Sequence, residues 1–183
     1  DISFAVGYLS RFMEAPSSDH YAAVKRLLKY IAGTIDHGCA YVRGKGTPEL
    51  TGYSDSDHAG DIDDRRSTTG VLFFLGGSPV SWQSQKQRVV AISSCEAEYM
   101  AATTAACQGI WLARLVGEML NEKIKQPKLL VDNKSAISLS KNPVFHDRSK
   151  HIDLRYHFIR ECVEDGRISI DYINTANQLA DIL

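Results

Sequence analysis

Thr51-Gly52-Tyr53-Ser54-Asp55-Ser56-Asp57-His58-Ala59-Gly60-Asp61 is the stretch that decides how the rest of the 183-residue chain is read. It begins like a β-strand and runs out into a Gly-containing loop, placing Asp55 and Asp57 two residues apart on one face of the strand end. An isolated Asp-Ser-Asp is ordinarily turn chemistry, because these side chains hydrogen-bond their own backbone. Three further acids, Glu98, Asp132 and Asp181, fall on elements whose junctions the pattern also predicts. A converging carboxylate cluster is therefore the competing reading.

Downstream of that stretch lies a loop with Asp61, Asp63, Asp64, Arg65 and Arg66, then the β-rich run Val71–Leu75. Gly76-Gly77 turns the chain into a strand where Val80 and Trp82 alternate with Ser81 and Gln83, which predicts a hairpin. The polar and basic segment Gln85–Arg88 before Val89–Ile92 predicts a bent or interrupted third strand. Ser93-Ser94-Cys95-Glu96 has capping-box spacing, with Ser93 as N-cap and Glu96 reaching back to it. This gives Glu96 a structural occupation and leaves Glu98 without a local partner. The long helix that follows should bury Ile110, Leu112, Leu115, Val116, Met119 and Leu120.

Lys128–Val131 reads as a short, almost wholly apolar central parallel strand. It ends in Asp132-Asn133, at the strand end where ligands gather in open α/β sheets, although either residue can also cap the next helix. Asn142-Pro143 closes that helix, Phe145–Lys150 is a loop, and His151–Asp165 is a helix stopped by Gly166. Ile168, Ile170 and Tyr172 alternate in a last strand before a terminal helix from Ala176 that carries Asp181. The order is three strands, helix, strand, two helices, strand, helix: an α/β mixed sheet covered by helices.

Residues 1–46 read differently. Ile2–Met13 is helical, Pro16 stops it, and Asp19 caps a second helix whose Val24, Leu27, Leu28 and Ile31 form one stripe. Two amphipathic helices cannot bury themselves alone. Cys39–Val42 is a candidate strand, and Gly44–Pro48 has linker composition, which sets a boundary between an appendage, 1–47, and the main domain, 48–183. The abrupt start at Asp1 suggests a fragment edge.

The net charge of −1 gives no global argument for nucleic-acid binding, so any such surface has to be local. The four cysteines, Cys39, Cys95, Cys107 and Cys162, lack Cys-x-x-Cys pairing and read as reduced, buried thiols of an intracellular protein. Neither a membrane-length apolar run nor signal-peptide character is visible, and no membrane partner is expected. Asp55, Glu98, Asp132 and Asp181 would repel one another if brought together without cations. Oxygen ligands without neighbouring Cys or His pairs favour Mg²⁺, with Mn²⁺ as a substitute. Two such ions about 4 Å apart can hold the attacking water and the leaving oxygen of a phosphodiester.

Taken together, Gly52–Asp57, Asp64–Gly70, Ser93–Tyr99, Val131–Asn133, Lys150–Asp153 and Gln178–Asp181 resemble the ribonuclease H domain of copia-type LTR retrotransposon Pol polyproteins. The resemblance covers 51–183. Residues 1–46 resemble the tail of the preceding reverse transcriptase, in its thumb or connection region. It implies an RNase H-like fold with sheet order 3-2-1-4-5 and metal-dependent cleavage of the RNA strand of an RNA/DNA hybrid. By motif, Asp55, Glu98, Asp132 and Asp181 take the catalytic and metal-binding places, with Asp57 and Glu96 as alternatives. His58 stands where relatives usually carry Trp, and Tyr172–Asn177 offers no counterpart to the mobile-loop His of cellular RNases H. The implied partners are the hybrid and the upstream reverse transcriptase region, in the cytoplasm within a virus-like particle and also in the nucleus.

Arg65, Arg66, Lys86, Arg88, Asn133, Lys150 and Arg155 are the candidates for contacts with the hybrid. Solvated surface charge is the ordinary alternative for each. His146, His151 and His157 fit no common zinc spacing. Two other functions compete with the active enzyme: a silent hybrid-binding remnant, and another nuclease of the same superfold.

Overall fold

A computed structural model of the chain describes residues 1–41, 44, 48–141 and 153–183, with the backbone alone for 153–157. Five strands form one sheet: β1 (Leu50–Ser56), β2 (Thr68–Leu75), β3 (Ser78–Lys86), β4 (Lys128–Val131) and β5 (Ser169–Tyr172), in the order β3-β2-β1-β4-β5. This is the expected RNase H-like order. β1 sits at the centre because it pairs antiparallel with β2 and parallel with β4. The switch from hairpin to crossover connections at β1 brings the carboxyl ends of β1 and β4 side by side.

The helices are α1 (Ser3–Ser10), α2 (Ser18–Gly33), α3 (Ser94–Leu120), α4 (Lys134–Lys141) and α5 (Asp153–Glu164). The terminal helix expected from Ala176 is instead a pair of 3₁₀ turns, Thr175–Asn177 and Leu179–Ile182. α3 packs its first half on the sheet, where Ala97, Ala101, Ala102, Ala105 and Ala106 are buried. Small side chains allow that close approach, and at its centre Phe73 of β2 lies between Gly52 of β1 and Gly109 of α3.

Several sequence expectations are corrected. α3 buries Leu112 as expected, but most of its buried residues lie in the N-terminal half, and Leu115, Met119 and Leu120 are exposed because the helix runs on past the sheet. β3 continues unbroken to Lys86, its irregularity lying at the other end opposite Phe73 and Phe74, and Val89–Ile92 forms no strand. Ser17, not Asp19, caps α2, accepting from the His20 N–H while His20 Nδ1 accepts from the Ser17 N–H. Residues 39–41 form no strand, and Val42 lies outside the described residues, as do most of the 44–48 linker and the 142–150 loop. Cys39 and Cys107 are exposed and only Cys162 is fully buried; among the described residues none of the four is in a disulfide. No described helix is long and apolar enough to cross a membrane.

Candidate active site

Asp55 stands near the end of β1, Asp132 directly after β4, and Glu98 in the first turns of α3. Ser93 caps α3, its Oγ accepting from the Glu96 N–H at 3.2 Å, and thereby fixes where Glu98 projects. One carboxylate oxygen from each of Asp55, Glu98 and Asp132 lies within 4.8 Å of the others. Asp181, on the second 3₁₀ turn, is exposed at the rim, and its charge raises the proton affinity of Asp55. An open cleft of about 330 Å³ has Asp55, Gly70 and Asp181 among its lining residues, with Phe4 of α1 on its border.

The cluster is electrostatically unfavourable without a cation. Burial, then the charges of Asp181 and Asp132, push Asp55 up to about 6. Glu98, only 6% exposed, is pushed up to about 9 by burial and then by Asp55 and Asp132. The two share a hydrogen bond, which a proton held between the carboxyls supplies. Glu98 Oε2 is buried and has no hydrogen-bond partner among the described residues. Clustered carboxylates with an orphaned buried oxygen are a donor set suited to a hard divalent cation.

Both alternative acids have structural occupations. Asp57 Oδ1 accepts from the Thr68 N–H, tying the β1–β2 loop together. Glu96 Oε2 accepts from the Ile92 N–H at 2.9 Å, so it reaches one residue beyond the cap the spacing suggested. The expected cations are scattered. Lys86 is held by Asp61 and Asp64, with Arg11 also against Asp61 and Arg66 against Asp64. Arg65 and Arg88 are exposed. Asn133 caps α4, its Oδ1 accepting from the Ala136 N–H at 3.0 Å. Lys150 lies outside the described residues, as do the side chains of Arg155 and His157, and His146 and His151 altogether.

Sequence reasoning missed the residues that brace the cluster. Thr175 Oγ1 donates to Asp132 Oδ2 at 2.7 Å, and Gln178 Nε2 donates to the Ser54 carbonyl at 3.0 Å, one residue before Asp55. Buried Gln87 Nε2 lies within bonding distance of Ser56 Oγ, Thr69 Oγ1 and the Ala97 carbonyl, linking β1, β2 and α3. Gln178 could have been found, because it opens the Gln-Leu-Ala-Asp stretch already singled out. Nothing in the local sequence marks Thr175.

The sheet order, the placement of α3 and the acid cluster define an RNase H-like domain. LC11-RNase H1, solved in complex with an RNA/DNA hybrid, superposes with a TM-score of 0.52 at 13% identity, covering 74% of this chain and 93% of that one. In sequence, the chain is 48% identical over 183 residues to the retrovirus-related Pol polyprotein from transposon TNT 1-94 of Nicotiana tabacum. It is 45% identical over 183 residues to that from transposon RE2 of Arabidopsis thaliana. The whole of this chain is matched in both, but it spans only 14% and 12% of the two relatives' lengths. No family model matches. Over its whole length the chain is thus similar to one part of the Pol polyproteins of copia-type plant retrotransposons.

Proposed function

We propose that this chain hydrolyses the RNA strand of RNA/DNA hybrids during reverse transcription of a retrotransposon, using two Mg²⁺ ions or Mn²⁺ in their place. The observation that carries the reading is the meeting of Asp55, Glu98 and Asp132 within 4.8 Å on an RNase H-like sheet. Asp55, Glu98 and Asp132 would hold the ions, with Asp181 completing the set from the rim. Bound there, the ions would lower the pKa of the attacking water and neutralise charge on the leaving oxygen. The protein's own part is to gather and orient the acids. Thr175 fixes one oxygen of Asp132 by its hydrogen bond, and the cap at Ser93 sets the turn of α3 from which Glu98 projects. Asp55 and Glu98 would have to give up the proton they hold to take the ions, so affinity for the ions would rise with pH.

Arg65, Arg66, Arg88, Lys150 and Arg155 are assigned to the phosphates of the hybrid. Lys86 serves the same surface from within its ion-pair network, and Asn133 reaches it through its amide N–H₂ while its oxygen caps α4. Residues 1–47 are the end of the reverse transcriptase and 48–183 the nuclease domain. The stripe on α2 supports this division: Val24, Leu28 and Ile31 are all exposed, as amphipathic helices are when the region they pack on lies elsewhere. The upstream reverse transcriptase region is thus the protein partner, and the cytoplasmic particle and the nucleus the places of action.

A substrate panel tests the reading: RNA/DNA hybrid, duplex DNA and single-stranded RNA, each offered to the chain with Mg²⁺ or Mn²⁺. Cutting confined to the RNA of the hybrid is expected. Cutting of duplex DNA would point to a different nuclease, and binding of the hybrid without cutting to a silent remnant.

A further inference from the structure

The 3₁₀ turn that carries Asp181 is seated on the sheet by contacts whose chemistry is specific. Gly70 of β2 stands directly across the ladder from Asp55. A Cβ at Gly70 would lie 2.7 Å from the Ala180 carbonyl oxygen and 3.2 Å from Leu183 Cβ. The nearer obstruction is backbone and cannot rotate away, so any side chain there lifts the turn off the strand. The φ of Gly70 is not positive, so it is the absence of a side chain, not backbone freedom, that this position uses. On the other side Gln178, 5% exposed, works in two directions. Its Nε2 holds the Ser54 carbonyl, and its Oε1 accepts from the Ala180 N–H at 3.3 Å, capping the turn.

Asp181 follows Ala180 directly, and its side chain is exposed, so packing of the side chain itself does not fix it. What fixes it is the backbone seat. The same two contacts reach the residues on either side of the acid cluster: Gly70 opposite Asp55, and Ser54 immediately before it. We propose that Gly70 and Gln178 are positioning residues that set Asp181 against Asp55 and Asp132, so that the fourth carboxylate reaches the ions. This rests on the hybrid cleavage proposed above.

The test measures kcat and KM for hybrid cleavage in Mn²⁺ by the 183-residue chain. The variants are Gly70→Ala, Gln178→Leu, Asp181→Asn and the doubles Gly70→Ala/Asp181→Asn and Gln178→Leu/Asp181→Asn, each with a thermal melt and a Mn²⁺ titration by calorimetry. Gly70→Ala and Gln178→Leu should lower kcat by about 10- to 100-fold with KM little changed, the scale of a misplaced catalytic group. In the Asp181→Asn background neither should cost anything further, in rate or in Mn²⁺ affinity, because the group they position is gone. Equal losses with and without Asp181, or wild-type kcat in both single variants, would overturn the proposal. If Gly70→Ala does not fold, Gln178→Leu decides, since it adds no volume at the contact. A wild-type chain that binds Mn²⁺ but does not cut overturns the functional reading alone, and the titrations then decide the positioning by the same comparison. A wild-type chain that binds no Mn²⁺ overturns both.

Discussion

Glu98 carries most of the electrostatic cost of the site. Its carboxyl is buried beside two other acids, and its pKa, like that of Asp55, is raised above the unfolded value. For an acid shifted in this direction the folded state binds the proton more tightly, so the stabilisation is complete below the unfolded pKa and is lost as pH rises. The metal-free protein should therefore lose stability from about pH 3.8, the unfolded value of Asp55, to about pH 9, with Asp55 giving way by about 6 and Glu98 last. Thermal melts in EDTA across that range should show it, and added Mg²⁺ should raise Tm more at pH 8 than at pH 5. Glu98→Gln should stabilise the metal-free protein at pH 8 by about 1–2 kcal/mol, the scale of gain found when functional strain is relieved, while abolishing cleavage. A melt in which Glu98→Gln is less stable than wild type would show that the carboxylate contributes to folding. At this scale the sequence was legible where chemistry is local. The capping spacing separated Glu96 from Glu98, and the structure gives Glu96 a backbone hydrogen bond near that cap. The partners of Thr175, Gln178 and Gln87 were not legible, because each bond joins residues distant in sequence.

At the scale of elements, two contacts set how α3 presents its acid. Ser93→Ala removes the side chain that accepts from the Glu96 N–H and should cost about 1 kcal/mol of stability, read as a lowered denaturation midpoint at unchanged m-value. The second is the packing of α3 on the sheet through Phe73. A Cβ at Gly52 would come within 2.4 Å of the Phe73 ring, and the ring cannot retreat toward α3, where a Cβ at Gly109 would already be 2.9 Å from it. Gly52→Ala should destabilise by about 1–3 kcal/mol, the cost of overpacking a filled core. Adding Phe73→Leu should cost less than the sum of the two single changes, and strict additivity in the denaturation midpoints would contradict this packing. The strands were readable because alternation and turn residues state them locally: Lys128–Val131 has the bounds its apolar run suggests. Only the last turns of α3 were misread, because their large apolar residues, such as Met119 and Leu120, lie beyond the sheet, whereas Leu112 and the Ala-rich stretch before it are buried. Small residues mark close approach as strongly as large ones mark burial.

At the scale of the whole molecule, the sheet brings acids from β1, α3 and the end of β4 to one point, although they are separated by dozens of residues in the chain. The topology of β1, paired antiparallel on one side and parallel on the other, makes that meeting possible. The ion-pair network of Arg11, Asp61, Asp64 and Lys86 ties the segment after α1 to the β1–β2 loop and the end of β3. α1 borders the cleft, with Phe4 on its rim. In the function proposed above, this meeting of acids binds divalent ions and cuts RNA paired with DNA. The most direct measurement is cleavage of an end-labelled RNA/DNA hybrid by the purified chain in Mg²⁺ or Mn²⁺, with and without EDTA, beside Asp132→Asn. RNA fragments are expected from the wild-type protein alone, lost on chelation, with the DNA strand intact. Equal cutting by Asp132→Asn, or cutting that survives EDTA, would contradict it.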